Sequence, residues 1–119
     1  PEGLFSADEV RFGIHGGAIE TSMMLALRPD LVDMGRAADF DSTLRELARQ
    51  HPVLGDGTSA RFGWQAQDLN PSGAVGNAVA ATAAHGSAVL AHVSRRLATL
   101  LTELGGLPLG LLADPPRDR

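Results

Sequence analysis

The chain has 119 residues, 44% of them hydrophobic, and a net charge of −4 with pI near 5.4, which suits one soluble domain or part of one. The acidic balance argues against nucleic acid or an anionic membrane as partner, and there is no uninterrupted apolar run of about 18 residues to span a bilayer. All ten basic residues are arginine and cysteine is absent, which removes lysine Schiff-base and P-loop chemistry, thiol catalysis, cysteine–zinc sites and disulfides.

The chain opens at Pro1 without a methionine and shows no signal peptide, as expected of a processed or truncated product in the cytoplasm. PEGLFSADE, ending at Glu9, reads as an exposed lead-in. VRFGI, Val10 to Ile14, alternates apolar with polar or small residues, a pattern that predicts a short strand. Gly16 and Gly17 break it, and a helix is expected from Ile19. Glu20, Thr21 and Ser22 fall in or before its first turn, where acidic and hydroxyl side chains accept from unpaired N–H groups. Met23, Met24, Leu25 and Leu27 follow as strong helix formers and core candidates, and Pro29 disfavours helix at Arg28.

FDSTLRELARQ, Phe40 to Gln50, predicts a short helix capped by Asp41 or Ser42. LGDGTSARFGW, Leu54 to Trp64, reads as a turn entering a strand-like segment. QAQDLNPSGAVGN is loop chemistry, with Asp68 and Asn70 suited to Asx-turns or to polar contacts in a pocket. From Asn77 to Leu104 apolar residues recur at steps of three and four, predicting one helix of roughly 40 Å. Asn77 would cap it, and Gly105, Gly106 and Pro108 would stop it. A tail over 107–119 closes the chain. This inventory is helix-rich and reads at its plainest as a small α-rich domain; because VRFGI lacks sequence neighbours to pair its backbone groups, the sharper reading is that a sheet lies upstream.

HGGAIE carries the chemistry. Gly16 and Gly17 lack a Cβ and let a substrate or another backbone approach His15. A histidine at a strand's exit facing a helix N-terminus is held neutral by the positive dipole end and can take and pass a proton. Glu20 at the helix start could orient His15, contact a metal or cap its helix; a structural Gly-Gly turn is the competing reading. HExxH and calcium-loop spacings are absent. His51 reads as a loop residue. His85 and His92 share a helix face and read as partly solvated, and Arg95-Arg96 reads as a solvated face or an intersubunit ion pair. Trp64, the only tryptophan, would wall a pocket or an interface.

HGGAIETSMMLALRPDLVDM (His15 to Met34) and FGWQAQDLNPSGAVGNAVAATAAHG (Phe62 to Gly86) together resemble two successive blocks of the C-terminal half of the creatininase-family amidohydrolases. The resemblance implies the C-terminal part of a three-layer α/β/α domain, over residues 1–106, of a metal-dependent hydrolase that opens C–N amide bonds in small molecules and commonly assembles as a hexamer. It implies that His15 is the catalytic proton shuttle, that Glu20 lies beside a dinuclear zinc or manganese centre, and that Gly16, Gly17 and Trp64 belong to the substrate pocket. The family's remaining metal ligands lie in an N-terminal half that this sequence does not contain, so the chain alone is expected to be inactive. Phe12, Gly13 and Ile14 replace the tryptophan and acidic residues of creatinine-cleaving members, which argues against creatinine as substrate. A non-catalytic module that oligomerises through the 77–104 helix is the alternative.

Overall fold

A computed structural model describes residues 3–56 and 63–111 of the chain. Helix α1 spans Ala7–Phe12, α2 Ala18–Leu27, α3 Thr43–Gln50, α4 Ala66–Leu69 and α5 Ala83–Gly106. Strands β1 (Asp39–Phe40) and β2 (Gly76–Asn77) pair antiparallel, Asp39 opposite Asn77 and Phe40 opposite Gly76. The described residues are therefore helix-rich with one small sheet. None of their helices is long and apolar enough to cross a membrane.

VRFGI is not a strand. Val10, Arg11 and Phe12 complete α1, whose first turn is closed by the Ser6 hydroxyl accepting from the Glu9 N–H at 3.1 Å. Ser6-x-x-Glu9 is a helix-start pattern, and once the helix forms, Glu9 and Phe12 lie one turn apart on its buried face. The lead-in is thus ordered through its second half, and Glu9 is only 6% exposed. Arg45 of α3 lies 4.9 Å from the Phe12 ring centroid and bonds Asp8 and Asp41, binding α3 to α1. Its hydrogen bond to Asp8 holds the guanidinium above its ordinary range.

Helix α2 starts at Ala18, one residue earlier than expected, and ends at Leu27 before Pro29. Ser22 is not a cap. It is fully buried in mid-helix, and its hydroxyl accepts the Thr82 N–H at 3.0 Å. Met24 and Leu27, assigned to the core from sequence, are exposed, while Met23 and Leu25 are half-buried. Helix α3 occupies the predicted segment with Ser42 as its cap, through the Leu44 N–H at 3.2 Å. Leu54–Asp56 forms a 3-10 turn at the start of the segment, where a turn was expected, and most of the strand-like stretch expected after it, residues 57–62, lies outside the described residues.

The long helix begins six residues later than its apolar spacing predicts. Asn77 belongs to β2, Ala78–Ala80 is a 3-10 turn, and Thr82 caps α5 by accepting the His85 N–H at 3.1 Å. Gly105 and Gly106 form its last turn rather than its stop, and Leu107 ends it ahead of Pro108. Helix α5 packs chiefly on α2, at Gly86. A Cβ there would run into the Ser22 carbonyl and the Met23 nitrogen, so glycine sets how closely the two helices approach. Phe12, Ala18, Leu69, Val75, Ala78 and Ala81 make up a small core. Past the α2 contact α5 projects outward, and every residue over 91–111 is exposed.

Substituting Gly86→Ala forces the backbones of α2 and α5 apart. A loss of about 1–3 kcal/mol is expected, exceeding alanine's helix-propensity advantage of up to about 1 kcal/mol. Urea unfolding followed by circular dichroism measures it; a stabilised G86A protein would contradict the packing described.

Candidate functional site

His15 leaves α1 through Gly13 and makes a single antiparallel bridge with Val75. Its N–H donates to the Val75 carbonyl at 3.1 Å and its carbonyl accepts from the Val75 N–H at 2.7 Å. Val75 is completely buried while His15 is exposed. The peptide is therefore fixed to the core and the imidazole is presented to solvent. Gly16 then adopts φ +68°, a left-handed turn that glycine makes without a Cβ penalty. The Thr21 hydroxyl donates to the Gly16 carbonyl at 3.2 Å, holding this turn against the first turn of α2.

The N-terminus of α2 has no capping side chain of its own, since Gly17 stands at that position. Glu9 supplies the missing acceptor. One carboxylate oxygen takes the Ala18 N–H at 2.6 Å and the other the Asn77 N–H at 2.8 Å. Charge-assisted bonds to backbone N–H groups are the stronger kind, and a negative group at a helix N-terminus complements the dipole. A Cβ on Gly13, Gly17 or Gly76 would collide with this carboxylate. The three glycines thus form the walls of its cradle. The sequence reading missed Glu9 because its partners are backbone groups 9 and 68 residues away; the signal present in the sequence was Ser6-x-x-Glu9.

Glu20 lies in the first turn of α2 and lines a cavity of about 300 Å³ with Gly16, Thr21, Met24, Arg36 and Phe40 among others. Its Oε2 is buried and has no hydrogen-bond partner. His15 does not line this cavity; its neighbour Gly16 does. Gly17 is buried at the α2 start. Trp64 is 40% exposed and lines neither this cavity nor a second one of about 230 Å³ bordered by Phe5, Glu9, Asn77 and His85. Asp68 acts locally, accepting the Gln65 N–H at 2.8 Å, whereas Asn70 both accepts the Ser72 N–H at 3.0 Å in an Asx-turn and donates from its amide to the Asp41 carbonyl at 2.8 Å. His85 is half-buried, edge-on to Phe5 at 5.5 Å, and its Nδ1 is buried without a partner. His51 caps the end of α3, and His92 is exposed.

Among the described residues, no three His, Asp or Glu side chains converge as a metal-ligand set. The unpartnered Glu20 oxygen is chemically suited to a divalent cation, as a single anionic donor. A full coordination shell would need further ligands from beyond the described residues.

The sequence model of the creatininase family, described as creatinine amidohydrolase, matches residues 1–101. A solved structure from Bacteroides fragilis NCTC 9343, provisionally designated a creatinine amidohydrolase, is 27% identical and superposes with a TM-score of 0.66. The superposition covers 92% of this chain and 40% of that one, so this chain spans well under half the length of the protein it matches. No curated protein matches the chain.

Replacing Glu9 by Gln puts an amide N–H₂ against one of the two backbone donors and removes the charge. The expected loss is about 1–3 kcal/mol. Accelerated hydrogen exchange at the Ala18 and Asn77 amides, relative to amides of α3, would register it. Unchanged protection at both would refute the clamp.

Proposed function

The chain belongs to the creatininase family, and from that premise we propose that it forms the proton-handling side of an amidohydrolase site cleaving a C–N amide bond in a small molecule. The observation that carries the proposal is the juxtaposition at the α2 start: an exposed imidazole on a peptide pinned to buried Val75, one residue from a cavity that Glu20 also lines, with one carboxylate oxygen of Glu20 buried and unpartnered.

Amide hydrolysis makes a C–O bond from water and breaks the C–N bond, and one proton must travel from the water to the leaving nitrogen. His15 is the group in this chain suited to that transfer, as base toward the water and then as acid toward the nitrogen. Its backbone bridge to Val75 limits where the ring can swing, and the Gly16 turn leaves the substrate side open. Glu20 would hold a divalent metal, zinc or manganese, whose chemistry when bound is to polarise the carbonyl. Gly16 and Gly17 would border the substrate, with Trp64 reaching the pocket only in the complete assembly. The absence of acidic and tryptophan side chains at Phe12, Gly13 and Ile14 favours an amide other than creatinine.

In this reading the chain is the C-terminal portion of a three-layer α/β/α domain. Further strands would extend the β1–β2 ladder, and polypeptide outside this chain would bring the other metal ligands. Coverage of only 40% of the Bacteroides fragilis structure supports that view. A cytoplasmic homo-oligomer, hexameric as in the family, completes the proposal.

Two outcomes are expected. First, the 119-residue chain alone binds zinc weakly; a tight site measured by calorimetry on this chain would contradict the placing of most ligands elsewhere. Second, in an active assembly containing this chain, His15→Ala lowers kcat by about 10²–10⁴-fold, with a smaller change in KM. Retention of wild-type turnover by H15A would remove His15 from the mechanism.

A further inference from the structure

The carboxylate of Glu9 closes a circuit around the candidate site. Its Oε1 takes the Ala18 N–H at 2.6 Å and its Oε2 the Asn77 N–H at 2.8 Å. His15 stands just ahead of Ala18 and Val75 just ahead of Asn77, and the peptide groups of His15 and Val75 exchange both bonds of the bridge. Glu20 follows Ala18 in the first turn of α2. One side chain on α1 thus fixes where the bridge sits relative to the helix that carries Glu20.

Stability of α2 alone does not require this arrangement. A serine, aspartate or asparagine at position 17 would satisfy the helix start within its own segment, yet glycine stands there and no side chain caps it locally. Placing the cap on α1 makes the α2 start move with β2. The cradle is shaped around one atom, because a Cβ on Gly13, Gly17 or Gly76 would in each case press on Oε1. Glu9 is 6% exposed and both its oxygens are bonded within this chain, so the contact is complete whatever polypeptide packs around it. We infer that Glu9 is a positioning residue that sets the placement of the His15 imidazole relative to the Glu20 carboxylate. What those two groups do rests on the amidohydrolase reading above.

The cradle also opens behind the carboxylate. Glu9 borders the cavity of about 230 Å³ together with Phe5, Ser6, Asn77, Ala80 and His85. Truncating Glu9 to alanine extends that cavity to the two backbone donors, one of them at the α2 start, where the helix dipole favours an anion. A formate ion presents the same pair of oxygens as the lost carboxylate and can reach the donors by this route. The action of Glu9 is therefore separable from its attachment to α1, which a side chain that only filled space would not be.

Glu9→Ala and added formate test it. Alanine keeps α1, whose cap joins the Ser6 hydroxyl to the backbone N–H of residue 9. In the 119-residue chain, amide exchange at His15, Val75, Ala18 and Asn77 should accelerate at least about tenfold. The Thr82 amide, bonded to Ser22, and the α3 amides are the controls and should keep their protection. Formate, but not chloride at equal ionic strength, should restore the four amides and leave the wild type unchanged. In an active assembly containing this chain, E9A should lower kcat about 10–100-fold with KM unchanged, and formate should recover kcat. If E9A does not fold, Glu9→Gln, which keeps the length and one acceptor, carries the same test with smaller effects on the same amides and on kcat. Persistent protection at His15 and Val75 overturns the inference. So does acceleration spread equally over Thr82 and α3, failure of formate to restore the four amides, or a change confined to KM. Wild-type turnover in H15A would sink the amidohydrolase reading, whereas loss of turnover in H15A with none in E9A would sink this inference alone.

Discussion

The carboxylate of Glu9 joins three parts of the chain that are remote in sequence. From α1 it reaches the first amide of α2 on one side and the Asn77 amide of β2 on the other. His15 and Val75 lie just N-terminal to those two amides, so the bridge that carries the candidate catalytic residue is secured at both ends by one side chain. A buried charge is costly unless its oxygens are satisfied. The glycines at 13, 17 and 76 let backbone close around it near enough to satisfy them. The α2 start, the His15 bridge and the β1–β2 ladder all presuppose this contact.

What could be read from the residues alone follows from how local the governing physics is. Helix α3 was legible because Ser42 and the Leu44/Leu47 face act within one segment. The α2 apolar run and its end before Pro29 were legible for the same reason. VRFGI was misread because its alternation over a few residues fits either period, and the deciding fact, burial of Glu9 against backbone from elsewhere, is tertiary. The start of α5 was set too early because Val79 and Ala83 continue the apolar spacing, while pairing of Asn77 with Asp39 diverts the intervening residues into a strand and a 3-10 turn.

The candidate site was partly legible in the same sense. HGGAIE marked His15, Gly16 and Glu20, and the structure places Gly16 and Glu20 on one cavity whose lining does not include His15. Nothing in the sequence distinguished Glu20, with its unpartnered oxygen, from Glu9, whose oxygens are fully engaged. Two glutamates eleven positions apart have opposite fates because one meets backbone N–H groups closed in by three glycines and the other has a buried oxygen with no donor in reach.

Ser22, Thr82 and Gly86 have a consequence of another kind. The Ser22 hydroxyl receives the Thr82 amide, and the Ser22 carbonyl occupies the room that Gly86 leaves vacant. A larger residue at 86 displaces the carbonyl, which moves the hydroxyl and frees the amide. These three positions therefore constrain one another. Among descendants of this chain, drift at one should be accompanied by change at the other two, giving a covariation signature confined to a helix crossing with no chemistry of its own.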